Sequence, residues 1–89
     1  MKVKFFAIFR ELTGTKETGD FAAETLEELL QALGQHYGKK FTDWVWADGG
    51  LSDDVIILIN GRAIEHLDGV KTRLQPADEI AIFPKMAGG

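Results

Sequence analysis

The sequence predicts an α+β domain in which one main helix packs on one face of a mixed β-sheet. The chain has 89 residues, which is the size of one domain. Blocks of aromatic and β-branched residues, which are typical of strands, lie near both ends of the chain and in its second half. Between the N-terminal and the later blocks, leucines recur with helical spacing.

The N-terminal part predicts a β-hairpin. Residues 3–9 are rich in aromatic and branched side chains and are bounded by the charged Arg10-Glu11, so we expect a strand there. Residues 13–16, with the sequence TGTK, are typical of a turn. Residues 17–23 then predict a weaker second strand.

The main helix is predicted over residues 25–37. Thr25, followed by Glu28 three positions later, forms a capping box that marks the N-terminal end. Gly38 is typical of the residue that ends a helix. A short second helix is predicted within residues 39–48 and is ended by residues 49–50. The apolar stripe of the main helix consists of Leu26, Leu29, Leu30, Leu33 and Tyr37.

The most hydrophobic strand is predicted at residues 55–59, with the sequence VIILI. Such a continuous run is typical of a strand that is buried on both faces, and hence central in the sheet. Asn60-Gly61 predicts a turn, and alternation predicts the last strand at residues 79–83. We expect the first and last strands to flank the central one. The domain should span residues 1–83, and residues 84–89 should form a flexible tail.

Composition and charge narrow the range of functions. The formal net charge is −4 and no basic block occurs, which argues against nucleic-acid binding. The absence of cysteine excludes disulfides and a cysteine nucleophile. The N-terminus does not have the pattern of a signal peptide, and the longest apolar run is far shorter than a membrane span. We therefore expect a cytoplasmic domain that contacts neither nucleic acid nor membrane.

The side chains offer no convincing active site. His36 and His66 occur without a catalytic motif, and solvated positions are the simpler interpretation. Trp44 and Trp46 could stack on a ligand, although such residues more often hold a loop against the core. We therefore expect no bound cofactor and no metal site. The acidic residues of the middle segment do not have the spacing of a calcium loop; they are Asp43, Asp48, Asp53 and Asp54.

The C-terminal glycines direct attention to the main-chain carboxyl group of Gly89. ATP can convert such a carboxylate into an acyl adenylate, which a nucleophile then displaces. Small residues before it suit a tail that enters a narrow channel, which makes Ala87 and Gly88 candidate recognition residues. Pro84 fixes φ and is expected to direct the tail away from the sheet. Residues 84–89 reach about 20 Å when extended.

A docking surface is predicted beside this tail. The charged side chains of the first predicted strand need water, so the face that they share should be open. Phe6 and Ile8 lie on that face by alternation, and Ala81 and Phe83 share one face of the last strand. If the two strands are neighbours, these residues form an exposed apolar patch, which usually binds a partner. A loop that covers the patch is the alternative interpretation.

Several motifs together resemble the MoaD family, the small sulfur-carrying subunits of molybdopterin synthase, within the ubiquitin-like β-grasp superfamily. The motifs are VKFFA at 3–7, REL at 10–12, ILINGR at 57–62, LDG at 67–69 with Thr72 and Leu74, and DEIAIFP at 78–84 leading to AGG at 87–89. The resemblance covers essentially the whole chain. It implies a β-grasp with a mixed sheet of four to five strands.

The resemblance also implies a function. An ATP-dependent, ubiquitin-activating-type enzyme would adenylate Gly89, and a sulfur transferase would convert the adenylate into a thiocarboxylate. The tail would then deliver sulfur to cyclic pyranopterin monophosphate in the large subunit, commonly within a heterotetramer. The large subunit would supply the catalytic side chains, and this chain would dock through Phe6 and Phe83. Lys85 departs from the family, which commonly has a second proline there, and residues 39–54 match it least.

Other functions remain open beside this one. A sulfur carrier could serve thiamine synthesis, cysteine synthesis or tRNA thiolation, with the same chemistry at Gly89 and a different acceptor. A ubiquitin-like modifier would instead join Gly89 to a lysine of a target protein. A β-grasp binding module with an inert tail would make no use of Gly89.

Overall fold

A computed structural model describes residues 1–85 of the chain. Its strands are β1 (Lys2–Phe5), β2 (Glu17–Thr18), β3 (Trp46–Ala47), β4 (Gly50–Leu51), β5 (Val55–Ile59), β6 (Arg62–Ala63) and β7 (Glu79–Pro84). Its α-helices are α1 (Ile8–Thr13), α2 (Leu26–Tyr37) and α3 (Lys39–Val45). Two 3-10 turns cover Ile64–His66 and Gly69–Lys71.

The main sheet has five strands in the order β2-β1-β7-β5-β6. The β1 and β7 strands are parallel, and the other neighbouring pairs are antiparallel. The long helix α2 buries its leucines in the core that covers one face of this sheet. This mixed sheet with one main helix is a ubiquitin-like β-grasp, as predicted.

The local signals of the main helix are confirmed. The Thr25 hydroxyl accepts a hydrogen bond from the Glu28 N–H at 3.2 Å, and the Glu28 carboxylate accepts one from the Glu24 N–H at 3.1 Å. The first bond satisfies an N–H group that a helix start leaves unpaired, and the second connects the residue before the cap to the first turn. The helix ends at Gly38, whose φ of 100° favours glycine. The short second helix is confirmed as α3.

The first predicted strand is wrong beyond Phe5. The chain turns at Ala7, which has a φ of 54°, and Ile8 begins α1. The side chain of Arg10 holds this turn, because its Nε donates a hydrogen bond to the Phe5 carbonyl at 2.9 Å. The spacing of Ile8, Phe9 and Leu12 also fits a helix, and a run this short does not distinguish the two periods.

The second strand is also shorter than predicted. Only Glu17–Thr18 pairs with β1, whereas the prediction covered residues 17–23. The turn after α3 adds an unpredicted hairpin of β3 and β4, with positive φ at Asp48 and Gly49. An Asp-Gly pair is a known hairpin signal, but its flanking strands here are too short to show alternation.

The predicted place of the VIILI strand needs correction. The central strand is β7, and β5 lies between β7 and the edge strand β6. The β1 strand pairs with β7 and not with β5. One face of β5 is buried, but Ile56 on the other face is 38% exposed. The continuous apolar run of β5 therefore does not indicate burial on both faces. It arises because the open face of the strand is also apolar.

The core lies between the sheet and the helices. Gly34 allows α2 and α3 to approach closely, because a Cβ there would lie 2.7 Å from the Thr42 Oγ1. Within residues 1–85, no helix is long and apolar enough to span a lipid bilayer. The buried hydrophobic residues are Val3, Phe5, Phe9, Leu26, Leu29, Leu30, Leu33, Phe41, Val45, Val55, Ile57, Ile59, Ile64, Leu74, Ile80 and Ile82.

Candidate functional site: the open sheet face and the end of the last strand

The open face of the sheet carries an apolar surface on its three adjacent strands β1, β7 and β5. Strand pairing aligns Ala81 of β7 with Lys4 on one side and with Leu58 on the other. Phe83 is aligned with Ile56 of β5. Because paired residues share a face, these side chains lie opposite the buried core.

Phe6 and Phe83 form the centre of this surface. Their rings stack with 4.4 Å between centroids and an interplanar angle of 8°. The Phe6 N–H donates a hydrogen bond to the Ile82 carbonyl at 3.1 Å, so Phe6 continues the line of β1. Both side chains are partly exposed. The predicted neighbourhood of Phe6, Ala81 and Phe83 is thus present in the fold.

Ile56 and Leu58 complete the surface, and sequence reasoning missed both. Among the large hydrophobic residues of the described region, only Ile56 is exposed, at 38%. The VIILI run itself indicates this exposure. Helices cover only one face of the sheet, so every second residue of the run lies on the uncovered face. We define the apolar patch as Phe6, Ile56, Leu58, Ala81 and Phe83.

The strand alternation that predicts Ile8 on this surface is wrong. Ile8 is the first residue of α1 and not a strand residue. Its side chain is partly buried and packs against the core. The turn at Ala7 therefore separates Ile8 from the line of β1 that holds Phe6.

Charged residues occupy the other half of the open face. The Lys4 ammonium lies 2.9 Å from the Glu79 carboxylate, and Lys2 lies 3.6 Å from Glu17. The hydrogen bond and the charge of Glu79 raise the pKa of Lys4, and the same pair lowers the pKa of Glu79. The Arg10 guanidinium lies 5.2 Å from the Phe6 ring centroid, which is a cation–π distance. The open face is thus divided into an apolar half and a charged half.

The last strand leads from the patch toward the C-terminus. Pro84 is paired with Val55, so the strand runs one residue past the predicted domain boundary at Phe83. The Lys85 N–H then donates a hydrogen bond to the Asp54 carbonyl at 2.8 Å. Pro84 thus belongs to the sheet and does not itself turn the chain away. The predicted reactive residue Gly89 and the recognition residues Ala87 and Gly88 lie outside the described residues.

The other candidate residues from the sequence pack against the core, are exposed to solvent or form a surface ion pair. The Trp44 ring packs edge-on against Phe9, with 5.8 Å between centroids, so it holds α3 against the core. His36 and His66 are both exposed. The Asp43 carboxylate lies 2.7 Å from the Lys39 ammonium. Within residues 1–85, no cluster of three or more histidine or acidic side chains is placed to hold a metal ion.

Comparison with known proteins identifies the family: the chain belongs to the ThiS family, whose sequence model matches residues 3–89. The small archaeal modifier protein 3 of Haloferax volcanii is 36% identical over 93 residues, which cover 100% of this chain and 98% of that protein. The molybdopterin synthase sulfur carrier subunit of Escherichia coli is 34% identical over 89 residues, which cover 100% of this chain and 99% of that protein.

A solved structure is similar over almost the whole chain. The solution structure of the small archaeal modifier protein 1 from Methanosarcina acetivorans matches with a TM-score of 0.89 and 36% identity, covering 99% of this chain and 94% of that one. The predicted β-grasp fold and the relation to ubiquitin-like sulfur carriers are thereby confirmed. The relatives carry names of two kinds, modifier and sulfur carrier, and the molybdopterin synthase subunit is one possibility within this family.

Proposed function

We propose that the protein is the sulfur carrier of a molybdopterin synthase. An ATP-dependent adenylating enzyme activates the carboxylate of Gly89, and a sulfur transferase converts the adenylate into a thiocarboxylate. The thiocarboxylate then donates its sulfur to cyclic pyranopterin monophosphate, held in the large subunit of the synthase. This chain supplies the docking surface and the reactive carboxyl group.

The observation that carries the proposal is the course of β7. This strand presents Ala81 and Phe83 in the apolar patch and continues through Pro84 and Lys85 toward the C-terminal glycines. The four residues after Lys85 can reach about 14 Å when extended. A partner that docks on the apolar patch is therefore placed to receive Gly89 in its own active site.

The positions of the groups with shifted pKa values within residues 1–85 support the role of a carrier. The pKa is raised at Lys4 and Lys71, each by a carboxylate partner at the surface, lowered at Glu79 by Lys4, and raised at Tyr37 by burial. Catalytic acids and bases are instead expected to share a cleft in which burial and neighbouring charges shift their pKa values. This distribution favours a division of labour in which the partner supplies the catalytic side chains.

The test is the intact mass of the chain after activation. The full chain with an N-terminal tag is incubated with ATP, the adenylating enzyme and the sulfur transferase of the source organism. We expect one oxygen of the C-terminal carboxylate to be replaced by sulfur. A chain without Gly89 is the matched control and should keep its mass. A full chain that is never activated under these conditions would refute the proposal.

The acceptor is tested in a second step. The thiocarboxylate form is mixed with the large subunit and cyclic pyranopterin monophosphate, and dithiolene formation is measured. Loss of sulfur from the chain together with product formation supports the molybdopterin pathway. A chain that keeps its sulfur under these conditions would assign the carrier to another acceptor.

A protein modifier is the second candidate, and the modifier names of relatives with 36% identity favour it. The activated carbonyl of Gly89 would then bond to a lysine amine, with release of AMP and a proton. Trypsin cleaves after Lys85, so each modified lysine would retain the remnant Met-Ala-Gly-Gly. Mass spectrometry of proteins from the source cells should find this remnant if the chain is a modifier. Its absence, together with a thiocarboxylate terminus, would refute the modifier function.

A further inference from the structure

A groove lies beside the apolar patch, between the β3–β4 hairpin, the start of β5 and the two 3-10 turns. Its volume is about 620 Å³, and its apolar lining includes Trp46, Leu51, Ile56 and Val70. We define this site as the hairpin groove. Its hairpin side, from Trp46 to Asp53, belongs to residues 39–54, which the sequence motifs match least.

The rim of the hairpin groove is acidic. Glu27, Asp53 and Glu65 line it, and Lys85 is the cation among its lining residues. Glu27 is neutralised by Lys71, whose ammonium lies 2.8 Å from its carboxylate. Asp53 and Glu65 are exposed and form no ion pair with another residue in the part of the chain that the structure describes. Beside the Glu27–Lys71 pair, the described lining therefore carries two negative charges and the one positive charge of Lys85, so it remains net negative next to its apolar residues.

The groove is continuous with the proposed docking surface. Ile56 belongs to both, since it lines the groove and pairs with Phe83 in the apolar patch. The groove also borders Lys85, the last described residue before the C-terminal glycines. A protein that covers the patch and receives Gly89 is therefore adjacent to the groove at Ile56 and Lys85.

We propose that the hairpin groove is a second docking site for the adenylating enzyme. It takes an apolar side chain of that enzyme, flanked by lysine or arginine residues that face Asp53 and Glu65. This inference rests on the proposed function, and it names the adenylating enzyme because every reaction of Gly89 begins with its activation. Complementary charges at the rim of an interface act mainly on encounter and selectivity.

The experiment is the ATP–pyrophosphate exchange that the adenylating enzyme of the source organism catalyses with the full chain. The groove variant is the double charge reversal Asp53→Lys with Glu65→Lys. The control variant Asp20→Lys with Glu24→Lys makes the same change in net charge at two exposed residues of the segment between β2 and α2, neither of which lines the groove. We expect the groove variant to raise KM about tenfold with kcat unchanged, and the control to leave both constants near wild type.

The dependence of KM on salt concentration tests the same charged contacts independently. The KM of wild type should rise as salt increases toward physiological strength, because ions screen exposed charges. The groove variant should lose this rise, and the control should keep it. Equal KM values and equal salt dependence in the groove and control variants would overturn the inference. A wild-type chain that supports no exchange would refute the proposed function itself, which is a different result.

A second variant avoids any dependence on the acidic side chains. A Cβ at Gly50 would meet no atom within 4 Å, so Gly50→Lys places a long cationic side chain in the groove wall without a clash. We expect it to raise KM and to leave the unfolding free energy near wild type. Unchanged KM in this folded variant would also count against the groove as a docking site.

Discussion

The two faces of the main sheet come from the same strands, yet they differ in what their apolar residues do. On β7, Ile80 and Ile82 are fully buried in the core, whereas Ala81 and Phe83 remain partly exposed on the other face. On β5, Ile57 and Ile59 are buried, whereas Ile56 is exposed. The alternation of the strand thus divides one apolar sequence between folding and docking.

The comparison shows why an apolar run is an ambiguous signal. Burial of apolar surface stabilises by about 25 cal/mol for each Å² removed from water. The covered face gains this free energy during folding, since helices pack on it. The open face retains apolar area, and the same gain becomes available when a partner binds. Mutations on neighbouring residues of one strand can therefore separate the two roles.

The largest effect on stability is expected from Ile82→Ala on the covered face. Ile82 has no exposed surface, so the truncation leaves a cavity that costs about 3 kcal/mol of unfolding free energy. Urea denaturation followed by tryptophan fluorescence measures this loss, since Trp44 and Trp46 both pack against the core. A loss below about 1 kcal/mol would contradict the assignment of Ile82 to the core.

The substitution Phe83→Ala, at the adjacent residue, should weaken partner binding more than it lowers stability. We expect KM in the exchange reaction to rise at least about tenfold, because aromatic residues at the centre of an interface carry much of the binding energy. The unfolding free energy should fall by only about 1 kcal/mol, mainly through loss of the stack with Phe6. If Phe83→Ala destabilises the domain as much as Ile82→Ala does, the division between the two faces is wrong.

Much of the covered face could be predicted from the sequence. The leucine stripe, the Thr25 cap and Gly38 fixed α2, because each of these signals is local and strong. The alternation of β7 correctly separated Ile80 and Ile82 from Ala81 and Phe83. The motifs of the chain also led to the correct fold.

The open face was harder to predict, for physical reasons. The patch residue Ile56 was hidden in a run that is equally typical of a strand buried on both sides. The turn at Ala7 depends on a hydrogen bond from Arg10 to the Phe5 carbonyl, a contact that the short apolar pattern does not encode. The hairpin groove is formed by segments that are far apart in sequence, so no local pattern identifies it.

A smaller effect tests how α3 is fitted against α2 in the core. Gly34→Ala should lower the unfolding free energy by about 1 kcal/mol, because the new Cβ would lie 2.7 Å from the Thr42 Oγ1. In a Thr42→Ala background this contact is gone, and the same change should stabilise α2, because alanine is the better helix former. Urea denaturation of both single variants and the double variant measures the coupling. Additive effects would show that Gly34 is not required for close packing.

The smallest effect concerns the charged half of the open face. The hydrogen bond and charge of Lys4 hold the pKa of Glu79 below its ordinary value of 4.5. The ionised Glu79 therefore contributes stability above that value, and the contribution is lost as pH falls through the folded pKa. The pKa of Lys4 is raised above 10.5, so its contribution is present below that value and is lost as pH rises through the folded pKa.

Lys4→Met should raise the Glu79 pKa toward its ordinary value, because Lys4 is the largest cause of the lowering, and NMR titration of the carboxyl carbon measures this change. The control Lys71→Met removes a surface pair with Glu27, outside the strands of the sheet, and should leave the Glu79 pKa unchanged. An unchanged Glu79 pKa in Lys4→Met would mean that the pair is not formed in solution. Because both partners are exposed, the stability effect is small and screened by salt. The charged half of the open face therefore contributes little to folding, although it lies on the same strands as the apolar patch.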